Sequence, residues 1–333
     1  MAELAQSDSQ VPEPRVNLRD PDFYIEDGNV VLSAKDSTHT HTTYFRLHKG
    51  MLARASPIFR DMFTLSSPSA MEDYDGVPLV EMHDDAKDLR ELIALLYDPP
   101  YISTILEGHD FTLRILGPAR LANKYQIEWI SKMVASQLEK RWPTTLQEWD
   151  AVAEEEEKIS SYLKNATSVP DNLRRLPEPV SSILLARECD VTSILPFAFY
   201  HILAWPLDPT EQFLRWKVPQ IDLLAPEDWR RMFLGQQRIQ KWLGTLHTGD
   251  LTKTCQRGKH CDVIYIHLWY NIAQGVDFLS MTWLVAAKHL ILDDIRACPE
   301  CKQNFKDQIQ VLRVDFFKKF PHFFQFSHDA EME

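Results

Sequence analysis

Among this chain's residue types, its five cysteines have the most capacity for chemistry. Cys298-Pro299-Glu300-Cys301 is a CxxC, and a turn of that spacing sets two sulfurs along one edge of a tetrahedral Zn²⁺ shell. Cys255 and Cys261, with His260 beside the second, lie upstream between Thr254 and Asp262 and would complete a set of four thiolates. The gap from Cys255 to Cys261 is longer than the roughly two to four intervening residues usual between zinc ligands, which leaves three readings open. They are a structural zinc site within a helical lobe, unpaired thiols, and a redox pair at Cys298 and Cys301. A shell filled by four protein ligands has no place for water or substrate, so such a zinc would stabilise the fold and not catalyse. The redox reading lacks the βαβ surroundings of a thioredoxin-like motif. Cys189 stands outside the set as a buried thiol.

The histidines give weaker constellations. His39 and His41 sit at alternate positions of a Thr-rich turn, where two imidazoles can share a strand face and meet a metal, but the plainer reading is a pair of solvated turn residues. His201, among Phe199, Tyr200 and Leu203, reads as a satisfied core histidine. No GxSxG elbow, GxxxxGK[ST] phosphate loop, GxGxxG or HExxH helix is present, and Gly258-Lys259-His260 lacks the spacing and the Ser/Thr of a phosphate loop. The paired carboxylates Asp84 and Asp85, and the run Glu154 to Glu157, fall at a helix start and on a polar helix face, where capping and solvation account for them. The chain is therefore expected not to be an enzyme.

The elements that would position these residues fall into two halves. Asn29 to Ala34 reads as a strand and Asp36 to Thr43 as a polar turn. Thr43 to Leu47 reads as a second strand with Phe45 and Leu47 on one face and Tyr44 and Arg46 on the other. His48 to Arg54 takes helical spacing, Ser56 and Pro57 start a second short helix, and Ile58, Phe59, Met62 and Phe63 line its face. Ser66 to Gly76 is expected to be a loop and Val77 to Met82 a third strand. Asp84 or Asp85 then caps a helix carrying Leu89, Leu92, Ile93 and Leu96. Asp110 starts a helix expected to end near Gly117 and Pro118, and Ile127, Ile130, Val134 and Leu138 form one stripe ending at Trp142 and Pro143. Thr145 with Glu148 makes a capping box, and after a connector from Lys164 to Pro179 only helical periodicities follow. The expected organisation is a disordered segment at 1–21, an α+β domain at 22–142, an all-α domain at 143–326 and a tail at 327–333.

Composition bounds the partners. A formal net charge of -12, with no basic cluster, argues against nucleic acid. The weakly charged run from Val263 to Ala287 contains His267, Asn271, Gln274 and Asp277 and reads as a buried helix pair and not a membrane span. No secretory signal is visible in the first residues, and five cysteines in that setting suggest a reducing intracellular compartment, cytoplasmic or nuclear.

The opening stretch resembles the BTB/POZ domain, on the phrase Asp27-Gly28-Asn29-Val30 followed by Phe45, His48, Leu52, Ser56 and Phe59. The second half is similar to the C-terminal part of a large group of fungal BTB proteins. It carries Pro177-Glu178-Pro179-Val180, Leu185-Ala186-Arg187-Glu188, Ile194 to His201, Glu227-Asp228-Trp229 and a closing Leu312 to Phe326. The resemblance implies a small mixed sheet flanked by a helical cluster, with His48 anchoring hydrogen bonds ahead of the first helix. It also implies a protein-interaction or dimerisation module with protein partners, among them a second copy of the chain. An alternative it implies is a substrate adaptor for a cullin-type ubiquitin ligase, where Ile105-Leu106-Glu107 fits the hydrophobic-x-Glu element of such adaptors. A zinc-dependent or redox enzyme using Cys298 and Cys301 is the remaining alternative.

Overall fold

The structure is a computed structural model of the 333-residue chain and describes residues 16–65, 72–108, 110–165, 176–203, 220–245 and 298–324. Contacts divide it into two units, Met1–Gly108 with Arg114–Lys132, and His109–Leu113 with Met133–Glu333.

The first unit is built on a five-stranded mixed sheet. Its strands are β1 (Val16–Tyr24), β2 (Val30–Lys35), β3 (His41–Leu47), β4 (Asp73–Tyr74) and β5 (Val77–Asp85), in the order β1-β3-β2-β5-β4. β2 runs antiparallel to β3 and parallel to β5, and β1 runs parallel to β3. Val30, Val31, Leu32, Ser33 and Ala34 are all buried, as a central strand with both faces covered requires, and this explains the unbroken apolar run in β2. β3 alternates instead: Phe45 and Leu47 face the core, while Tyr44 and Arg46 face the other way. Against the Phe45 side pack α1 (Lys49–Ala55), α2 (Pro57–Leu65) and α3 (Ala86–Tyr97), contributing Leu52, Phe59, Leu89, Leu92 and Ile93. Asp85 caps α3 by accepting the backbone N–H groups of Lys87 and Asp88. α4 (Pro99–Glu107) and α5 (Phe111–Lys124) follow.

Three local expectations are corrected. Residues 16–21 are strand, not part of a disordered lead-in. The pairing of β1 with β3 shifts register between Arg19 and Tyr24, which accommodates Pro21. Asp20 is buried, accepts the N–H groups of Asp22 and Phe23, and is bound by the Arg90 guanidinium of α3, which also reaches Asp22. A partner seventy residues away holds a segment that local propensity would leave loose. Second, residues 73–76, expected to be loop, form the first arm and the turn of a hairpin that Val77 and Pro78 complete. Asp75 and Gly76 both take positive φ, 56° and 76°, which is the pattern of a two-residue type I′ turn. Third, α5 runs through Gly117 and Pro118 as one helix. A side chain at position 117 would overlap the Asp88 carboxylate, so the glycine serves a close approach and is not a stop.

In the second unit every described element is helical. α6 (Glu128–Arg141) enters it with Val134 and Leu138, followed by α7 (Leu146–Asn165), α8 (Pro179–Glu188), α9 (Leu195–Leu203), α10 (Pro226–Thr245), α11 (Pro299–Lys318) and α12 (Phe320–Phe323). The capping box is formed as expected: the Glu148 carboxylate accepts the N–H of Thr145 at 3.1 Å, and the Thr145 hydroxyl accepts the N–H of Glu148 at 3.2 Å. It places Trp149, fully buried, against Phe197, Tyr200, Phe317 and Phe320, with ring centroids 5.5 to 6.2 Å away. Beside this cluster the buried Arg313 of α11 donates to Asp150 of α7. The expected helices between Val263 and Ala297 and the tail at 327–333 lie outside the described residues.

At Gly235 of α10, a Cβ would collide with the ring of Phe324, which is itself fully buried and cannot swing aside. Gly235→Ala is therefore expected to destabilise the helical unit by about 1–3 kcal/mol, despite the better helix propensity of alanine. Urea unfolding monitored by near-UV circular dichroism measures this, and a neutral or stabilising effect would contradict the close packing of α10 on Phe324.

Candidate interaction surfaces

The residues of the opening phrase build scaffold. The Asp27 carboxylate lies 3.1 Å from Nε2 of His48, and the His48 N–H donates to the Tyr97 hydroxyl at 2.9 Å. Asn29 accepts the N–H of Lys49 at 2.8 Å and so closes the start of α1. Ser56 donates from its buried hydroxyl to the Tyr125 carbonyl at 2.6 Å and accepts the N–H of Phe59 at 3.0 Å. Phe45, Leu52 and Phe59 are core, and the Phe59 ring stacks on Tyr125 at 4.5 Å. Burial, together with a hydrogen bond to Asp84, pushes the Tyr125 phenol well above its ordinary range, as befits a group fixed inside the fold. Through these contacts they orient β2, β3 and the α1–α2 hairpin.

What these elements leave at the surface of this unit is apolar at a few points. Leu18 on β1, Met51 on α1 and Trp129 on α6 are each 40 to 47% exposed. On α4 the Ile105-Leu106-Glu107 pattern splits by burial: Ile105 is completely buried, Leu106 half-buried and Glu107 exposed. Its hydrophobic position is therefore core. Tyr101, one helical turn before Ile105, donates to Glu91 and receives a hydrogen bond from Arg114 at 3.3 Å.

The cysteine constellation is only partly in view. Cys298 occupies the N-cap position of α11 and Cys301 its first turn, both half-buried, whereas Cys255 and Cys261 lie outside the described residues. Among the described residues no group of three or more His, Cys, Asp or Glu is placed to hold a metal ion. Cys189 is half-buried, and burial, with the Glu188 carboxylate adding to it, pushes its thiol up to about 11, which fits a structural and unreactive cysteine. In the Thr-rich turn the Asp36 carboxylate organises the loop by accepting from the Thr38 and Thr40 hydroxyls and from the N–H groups of Thr40 and His41. The Thr38 hydroxyl first, then the His41 N–H, hold that carboxyl well below its usual range. His41 meets Asp36 at 3.3 Å, while His39 adopts a left-handed backbone at the tip. His201 is buried edge-on to Trp142, with centroids 5.7 Å apart.

Sequence reasoning missed the charged pairs. Arg187 donates through both terminal nitrogens to Asp228, which is 1% exposed and also meets Arg231 at 3.2 Å. This pair ties α8 to α10 and joins two of the phrases, Leu185 to Glu188 and Glu227 to Trp229, that were singled out without a reason for their pairing. No local spacing rule could have found it, because the partners are 41 residues apart.

Residues 27–141 match the BTB/POZ domain family. The first part of this chain is thus a BTB/POZ domain, a mixed α+β module that generally serves protein-protein interaction and dimerisation, and a mostly helical part follows it. The match stops short of the phrases that suggested a fungal group. No curated protein and no solved structure matches the chain. Among the described residues no helix is long and apolar enough to cross a membrane.

Proposed function

We propose that this chain is a non-enzymatic interaction protein whose BTB/POZ domain pairs with a second copy of itself or recruits a protein partner. The observation that carries this reading is the match at residues 27–141, combined with the use of Asp27, Phe45, His48, Leu52, Ser56 and Phe59 as scaffold. That scaffold leaves the apolar Met51 and Leu18 outward, and methionine is among the side chains enriched where interfaces form. The helical part, with the phrases that resemble fungal BTB proteins, offers a second surface for a target. The test is the mass of the full chain in solution against concentration: self-association supports the pairing branch, and a monomer at tens of micromolar removes it.

The adaptor reading rests on Ile105-Leu106-Glu107 at the end of α4. The exposed Glu107, and not the buried Ile105, is the position to test in a cullin pull-down, and equal recovery with Glu107→Ala would count against docking through this element. A structural zinc at Cys255, Cys261, Cys298 and Cys301 rests on spacing alone. Metal analysis of the purified chain decides it, and less than about half an equivalent of zinc removes the site and with it any zinc-dependent activity. The acidic balance supports a partner other than nucleic acid, and the cysteine content fits a reducing, intracellular setting.

A further inference from the structure

The strand order places β4 at the sheet edge opposite β1, with β3, β2 and β5 between them. Yet the β4 hairpin touches β1 and β3. Tyr74 stacks on Tyr44 of β3 with centroids 4.4 Å apart and planes 12° off parallel. Asp75, at the turn, accepts the Tyr24 hydroxyl of β1 at 2.8 Å and pairs with Arg19 at 3.2 Å and Arg46 at 3.9 Å. Arg19 in turn lies over the Tyr24 ring at 4.6 Å and the Tyr74 ring at 5.8 Å. The hairpin therefore curls back across the face of the sheet opposite Phe45 and Leu47. Val31 and Ser33 stand on that same face, directly across from Arg46 and Tyr44, and both are buried.

We propose that Asp73–Gly76 is a strap, latched by the Asp75 carboxylate, that opens as a unit and uncovers Val31, Ser33 and Tyr44 without unfolding the domain. Among the described residues the hairpin is anchored along the sheet by two residue pairs and the bond from Leu79 N–H to the Glu72 carbonyl at 2.7 Å. Asp73, Asp75 and Gly76 are exposed, so the apolar contact that resists opening is the single stack of Tyr74 on Tyr44. The opposite face of β2 and β3 is held independently by Leu32, Phe45, Leu47 and Phe59. One carboxylate with three partners on two strands thus fastens the hairpin beside that one ring stack, and exposed pairs of this kind are individually weak.

The test uses Asp75→Asn in the full chain. Asparagine tolerates the left-handed backbone at 56°, so the turn persists while the charge is lost. Ser33→Cys reports access beneath the strap and Ala34→Cys, on the opposite face, reports global opening, each by iodoacetamide alkylation read at the peptide level. With Asp75→Asn, Cys alkylation at position 33 is expected to rise about tenfold and that at 34 to stay unchanged. An unchanged rate at 33, or an equal rise at both positions, overturns the strap. If a cysteine variant fails to fold, nitration of Tyr44 by tetranitromethane gives the same comparison in the native sequence. Faster nitration in Asp75→Asn supports the strap, and an equal rate contradicts it.

Discussion

Ile105→Asp is expected to destabilise the BTB/POZ domain by about 4 kcal/mol or more, a large share of the stability of a domain this size. Ile105 is completely buried on α4, so the aspartate would remove an apolar side chain from the core and place a carboxyl there among apolar groups. The cavity and the buried polar group act in the same direction. Far-UV circular dichroism and urea unfolding measure the loss, and retention of native stability would mean that α4 does not seat Ile105 as described. The consequence for function is direct: lost partner binding in Ile105→Asp reports lost fold, whereas Glu107→Ala, at an exposed site one turn-end later, changes the surface alone.

The second large effect concerns the helical part. Arg187→Ala is expected to destabilise it by about 3 kcal/mol, because the Asp228 carboxylate stays almost fully buried with its bidentate partner gone and Arg231 as the remaining cation. Arg187→Lys should recover only part of this, since an ammonium cannot reproduce the two parallel hydrogen bonds of a guanidinium fork. Replacing both Arg187 and Asp228 with apolar residues of similar volume should cost less than Arg187→Ala, since no charge is then left buried. Chemical denaturation of the three variants is the check. If the double replacement were the least stable, the pair would be stabilising on its own account and not a mutual compensation.

These pairs also mark what the sequence could and could not convey. The periodicity of Phe45 and Leu47, the Ser56-Pro57 start and the Thr145-Glu148 box were legible because each depends on neighbours a few residues apart. The single helix through Pro118 was not, because Gly117 answers to a close tertiary approach, that of Asp88, which no local spacing shows. β1 escaped notice for the same reason: Arg90 supplies from α3 the charge that buries Asp20. The Asp75-Gly76 turn did carry a local signature, a D-G step before a β-rich run, but its two-residue strand is too short to show alternation. Of the site residues, the opening phrase pointed correctly to the domain, while its members turned out to be scaffold and the surface they leave open had no spacing to read.

Sedimentation equilibrium of the full chain from low to tens of micromolar tests the central claim, that the BTB/POZ domain is there to associate. A mass rising from 38.8 kDa towards twice that value, and falling back when Met51→Glu places a charge at the exposed methionine of α1, is the result expected. A mass of 38.8 kDa at every concentration, in both the native chain and the variant, would contradict self-association.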